Sequence, residues 1–133
     1  MPTGMLSTDL SLLVWAVALC VVQMLVSVLL AQSQVGLPAL AGNREGMPAL
    51  TGMAGRAHRA HCNMLENLAP FAALVLVAAV AGRANEMTAL GAQLFFWARV
   101  AHAVLYLAGI PWVRTGAWAV SILGIVLIGL QLR

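Results

Sequence analysis

Apolar positions run almost unbroken through four stretches of this chain, and short polar or glycine-rich segments separate them. Residues 10–31 form the first; at about 1.5 Å per residue they reach about 33 Å, enough for one bilayer crossing. Residues 36–52 (GLPALAGNREGMPALTG) are rich in Gly and Pro and read as a loop. A second helix is predicted over 53–81, GRANE makes a turn, and a third helix runs over 87–108. The fourth spans 111–132, with Pro111 in its first turn, where a missing N–H is harmless. The pattern predicts an all-α integral membrane protein, a four-transmembrane-helix bundle in one domain over 1–133.

Composition agrees with that reading. Of the 133 residues 62% are hydrophobic and 8% charged, whereas a water-soluble domain carries roughly 25% charged residues. The net charge of +3 comes from arginine and no lysine, and the arginines are scattered among apolar segments. That distribution argues against a nucleic-acid interface. The apolar start lacks a basic n-region and is longer than a cleavable leader's core, so it is read as a retained first span. Cys20 and Cys62 lie in apolar or helical stretches and read as small buried residues, not as a disulfide or a metal pair. Arg44, Arg56, Arg59 and Arg114 flank one side of the membrane, against Arg83 and Arg133 on the other. The positive-inside rule therefore predicts that loop 32–52 and turn 109–115 are cytoplasmic.

Polar residues inside the spans then change the picture. Arg56, Arg59, Asn63 and Glu66 share one helical stripe at i, i+3, i+7 and i+10. Arg99, His102 and Tyr106 form a second stripe in the third span. For antiparallel helices, residues at equal depth have numbers with a constant sum. Arg59 then pairs in depth with Tyr106, Asn63 with His102, and Glu66 with Arg99. A charged side chain near a helix centre costs about 2.5–3.5 kcal/mol on insertion scales, so these groups must face protein or a wet cavity. One reading is an assembly network that holds helices together. The other is a ligand site, since cations outnumber Glu66. Arginines suit carboxylates, Glu66 an ammonium and Asn63 an amide. Arg114, beside the start of the last helix, adds a further anion contact.

The segments RAHRAHCNMLENLAPF, ARVAHAVLY and GIPWVRTGAW, in that order, resemble the MAPEG family (membrane-associated proteins in eicosanoid and glutathione metabolism), in its small bacterial branch. The resemblance implies a homotrimer with glutathione held between subunits near the cytoplasmic face of a bacterial inner membrane. By it, Asn63 and Glu66 match glutathione contacts, Arg59 supports that pocket, and Arg99, His102 and Tyr106 line it. Arg114 matches an arginine near the glutathione sulfur. Three positions differ from better-studied members. Cys62 stands where an arginine is frequent, Trp118 replaces a tyrosine, and the first span lacks a carboxylate-binding arginine.

These expectations define a glutathione-dependent transferase or peroxidase, with Arg114 and Thr115 stabilising the thiolate of glutathione as co-substrate. The second substrate would be a lipophilic electrophile or lipid hydroperoxide arriving from membrane lipid, in detoxification or synthesis. The alternative is a non-catalytic protein of the same fold that binds an anionic ligand or partner. A haem or metal site through His58, His61 and His102 lacks a completing acidic or Cys ligand.

Overall fold

The computed structural model describes residues 4–133. Among them are five helices and no strand: α1 (Thr8–Val35), α2 (Leu37–Ala41), α3 (Gly52–Val80), α4 (Glu86–Ala108) and α5 (Pro111–Leu130). Four of these, α1, α3, α4 and α5, are long and apolar enough to cross a membrane. The short α2 breaks the segment expected to be loop, with Pro38 in its first turn. Local chemistry explains most of the ends. Ser7 Oγ accepts from the amide of Leu10 at the start of α1, which begins the helix before the apolar run. At its other end α1 continues past Ala31 through Gln32, Ser33 and Gln34, because helix propensity does not stop where hydrophobicity does. Asn85 and Thr88 form a reciprocal capping box on α4. Gly109 closes α4 in the left-handed region at φ 79°, a conformation that costs glycine little. Pro111 then opens α5.

The core is a band of small and aromatic side chains where α1, α3, α4 and α5 meet. Phe71 and Phe95 stack with centroids 3.9 Å apart, against Met64, Val75 and Ile128. α4 and α5 make the most extensive contact, and glycine makes it possible. A Cβ on Gly91 would lie 2.6 Å from the Gly124 carbonyl oxygen, and one on Gly124 would lie 2.4 Å from that of Gly91. Gly124 and Gly129, five apart, make no packing repeat within α5; Gly124 is matched instead to a glycine on another helix. Outward-facing Val14, Leu25, Leu29, Val104 and Leu123 are exposed, as expected of side chains whose solvent is acyl chain.

Candidate functional site

α3 supplies the central polar side chain. Asn63 Oδ1 accepts from Arg99 Nη2 at 2.9 Å and from Asn67 Nδ2 at 3.3 Å. Asn67 Nδ2 also donates to the Asn63 carbonyl at 2.8 Å. With its oxygen occupied twice, Asn63 has its Nδ2 left as a donor, and the residue lines the pocket described below. Asn67, which the stripe analysis passed over, supports Asn63 without lining the pocket itself. Its signal was the i+4 spacing from Asn63, which places the two on one face.

Arg99 is 1% exposed, and its Nε and Nη1 have no hydrogen-bond partner among the described residues. The expected level pairing of Arg99 with Glu66 is not made. Arg99 reaches Asn63, while Glu66 is exposed on the surface of the chain. The rung slips by nearly one helical turn because the long guanidinium stem reaches along the helix axis, so depth read from Cα positions misassigns its head. Swapping partners in a double-mutant cycle tests this. Asn63→Leu and Arg99→Leu should show a coupling of about 1.5–3 kcal/mol, the range for hydrogen bonds to charged groups. Glu66→Gln and Arg99→Leu should be additive when the unfolding of the detergent-solubilised protein is measured.

One pocket of about 230 Å³ gathers Asn63, His102, Tyr106, Arg114, Thr115 and Trp118. Three elements converge on it: α3 brings Asn63, α4 brings His102 and Tyr106, and the first turns of α5 bring the rest. The Arg114 guanidinium carbon lies 4.1 Å over the Tyr106 ring, which fixes the cation without neutralising it. His102 packs edge-on to Tyr106 at 5.5 Å, and its buried Nδ1 has no hydrogen-bond partner among the described residues. Thr115 Oγ1 donates to the Pro111 carbonyl at 3.1 Å, so in this rotamer its oxygen faces the pocket as an acceptor.

Three residues of the expected set do not line this pocket: Arg99, expected to line it, stands behind Asn63 and reaches the site only through that side chain, and two others lie apart. Arg59 sits one turn up α3, exposed, and lines a different cavity with Arg44. Glu66 is not among the residues lining the Asn63–Arg114 pocket. Arg56, on the same stripe, serves the fold: its Nε donates to the Leu107 carbonyl at 3.1 Å and ties α3 to the end of α4. Cys62, expected to be buried, is half-buried, with Sγ 3.6 Å from His58 Nε2. Among the described residues no three His, Cys, Asp or Glu side chains gather as a metal ligand set.

No curated protein and no solved structure matches the chain. The MAPEG family profile does, over residues 12–133, a range that takes in all four long helices and every residue of the pocket. With that match over nearly the whole chain, and four helices fit to span a membrane, this protein belongs to the MAPEG family.

Proposed function

We propose that the chain is a glutathione-dependent transferase or peroxidase of the membrane, acting on lipophilic electrophiles or lipid hydroperoxides. The observation that carries this reading is the convergence of Asn63, His102, Tyr106 and Arg114 on one pocket. A thiol of ordinary pKa near 8.5 is only a few per cent thiolate at neutral pH. Arg114, stacked on Tyr106 and paired with no carboxylate among the described residues, stabilises the anion left when the thiol proton departs. The thiolate then forms a C–S bond to the electrophile as its leaving group takes the electron pair. With a hydroperoxide, it attacks the outer oxygen to form an S–O bond, the O–O bond breaks and the alkoxide leaves as the alcohol after taking a proton, and a second glutathione thiol displaces water from the resulting sulfenic acid to give the disulfide. Asn63 Nδ2 binds a carbonyl or carboxylate of the peptide, and Arg99 and Asn67 hold it in that orientation. Thr115 assists only by rotating its hydroxyl away from Pro111, so Thr115→Ala should cost no more than a few-fold in kcat/KM.

Glu66 supports the accompanying proposal of a homotrimer. It lies 14 residues into the 29-residue α3, near mid-membrane by helix rise, yet is exposed in the single chain. An exposed carboxylate at that depth is costly in lipid, and a neighbouring subunit would cover it. The glutathione amine is its intended partner across that interface, with Arg59 as a second contact from the same helix. We place loop 32–52 and turn 109–115 on the cytoplasmic side of a bacterial inner membrane, from the arginine distribution.

Glutathione added to the purified protein should give ultraviolet thiolate absorbance near neutral pH. Absence of binding at millimolar glutathione would overturn the reading and favour the non-catalytic anion binder. Asn67→Ala provides a finer check. Freed from one of its two donors, the Asn63 amide can flip, and glutathione affinity should fall roughly tenfold, by about 1–1.5 kcal/mol. Isothermal titration measures it, and an unchanged Kd would remove Asn67 from the site.

A further inference from the structure

A narrow slot of about 120 Å³ opens between α1 and α4. Its floor is made of small side chains, Ala57 and Ala60 from α3 and Ala103 from α4, none more than 8% exposed. Nothing longer than a methyl reaches in from below, which leaves the space open. Val22 and Val104 line it while 55% and 63% exposed, so its mouth faces the acyl chains. It shares no residue with the Asn63–Arg114 pocket or with the cavity of Arg44 and Arg59.

Gln23 is the one polar side chain on its wall. The residue is 9% exposed, and its Oε1 is buried without a hydrogen-bond partner among the described residues. Position along the helix makes that costly. Gln23 is the sixteenth of the 28 residues of α1, about 23 Å from the start at about 1.5 Å per residue, and so near mid-membrane. Bulk water does not reach an amide at that depth, and the slot's other liners carry no polar side-chain atom. The group therefore bears its desolvation cost without a partner from the chain.

Three limits define a ligand that would satisfy it. An amide head both donates and accepts, and so does a hydroxyl, so one O–H group suits Gln23 in either orientation of its amide. A charged group does not suit a slot without a counter-ion on its wall. Sites that enclose a whole small ligand run to about 300–1,000 Å³, so this one grips a segment of a chain whose remainder lies in the bilayer. Depth places the O–H group well below the headgroups. We propose that the slot binds an acyl chain carrying an O–H group near its middle, with that group on Gln23 and the flanking methylenes over the alanine floor. The same chemistry describes a hydroxylated chain and a chain hydroperoxide. At about 100° per residue, Glu66 stands about 180° around α3 from Ala57 and about 120° from Ala60, so the slot and the proposed contact at Glu66 lie on different sides of that helix. The site does not depend on thiol activation in the other pocket.

Competition binding tests it. Radiolabelled methyl ricinoleate, whose hydroxyl lies mid-chain, is bound to the protein in phosphatidylcholine nanodiscs and read by scintillation proximity. Unlabelled methyl oleate, which lacks the hydroxyl, should compete at least about tenfold less well than unlabelled ricinoleate. The methyl ester of an α-hydroxy acid of the same length, with its hydroxyl at headgroup depth, should be as weak as oleate. Gln23→Leu should lose the same tenfold in affinity for ricinoleate and bind oleate no worse. It should also melt no lower than wild type, since it removes an unsatisfied amide; if it unfolds, the wild-type competition series decides alone. Methyl oleate hydroperoxide separates the two sources. Stronger competition than ricinoleate identifies the hydroperoxide as occupant, and weaker competition the hydroxylated chain; either supports the site. Equal competition by oleate or by the α-hydroxy ester, or unchanged affinity in a folded Gln23→Leu, would overturn it. Displacement of ricinoleate by millimolar glutathione would also overturn it, by making the slot part of the thiol site. Discrimination that persists when glutathione fails to bind at all would leave the proposal standing and sink the transferase reading alone.

Discussion

Arg114→Ala is expected to lower kcat/KM for glutathione conjugation about 100-fold and to abolish thiolate absorbance at neutral pH. An electrostatic donor aimed at a developing anion contributes about 2.7–4 kcal/mol in other enzymes, and 2.7 kcal/mol is a hundredfold in rate. The fold should tolerate the change. Arg114 is half-buried and stacks on Tyr106, a contact of about 0.5–1 kcal/mol at an exposed site. Arg114→Lys keeps the charge but loses the planar stack, so it should fall between wild type and alanine. The decisive measurement is the pH–rate profile. With Arg114 stabilising the thiolate, its acidic limb moves up toward the ordinary thiol range in the alanine variant, and activity recovers as pH rises through about 8.5. A profile that scales down without moving would mean that Arg114 only positions substrate.

Gly124→Ala should be the most damaging single methyl in the molecule. The added carbon would meet the Gly91 carbonyl oxygen at 2.4 Å and the Phe95 amide nitrogen at 2.9 Å. Both are backbone atoms, so no rotamer change relieves them. α4 and α5 would have to separate, and the stacked Phe71–Phe95 core lies against the same surface. Overpacking a tight core costs about 1–3 kcal/mol, occasionally more, and this substitution belongs at or above the top of that range. Gly116 is the internal control. It lies in the same helix, with nothing within 4 Å of a built Cβ, so alanine there should be neutral or stabilising by up to about 1 kcal/mol. Thermal unfolding in detergent compares the two. Equal melting temperatures for both variants would mean that the α4–α5 crossing is looser than its geometry.

Much of this architecture is readable along the chain, because membrane insertion imposes a one-dimensional rule. Each span needs some twenty apolar residues and internal hydrogen bonds, so the stretches 10–31, 53–81, 87–108 and 111–132 anticipate the four long helices, although α1 runs four residues beyond its expected end. Local chemistry outside that rule was less legible. α2 is too short to carry a period, and the extension of α1 through Gln34 depends on a partner, Thr51, on the far side of the loop. Gly124 illustrates the same limit in packing, since its significance comes from Gly91 on another helix.

The site divides along similar lines. Residue type and helical spacing by themselves determined that Asn63 and Glu66 share one face and Arg99, His102 and Tyr106 another, that Arg99 cannot meet lipid, and that the chain is a membrane bundle with an excess of cation. These follow from periodicity and from the cost of charge in hydrocarbon, both properties of a helix before it finds a neighbour. Only the tertiary structure decided who pairs with whom. A guanidinium on a flexible stem reaches about a turn along its helix, so Arg99 took Asn63 instead of Glu66, and Asn67 joined them. It also separated Arg59 from the Asn63 pocket and set it, with Arg44, beside a second cavity. Side-chain reach and close helix approach are three-dimensional quantities, and no spacing along the chain contains them.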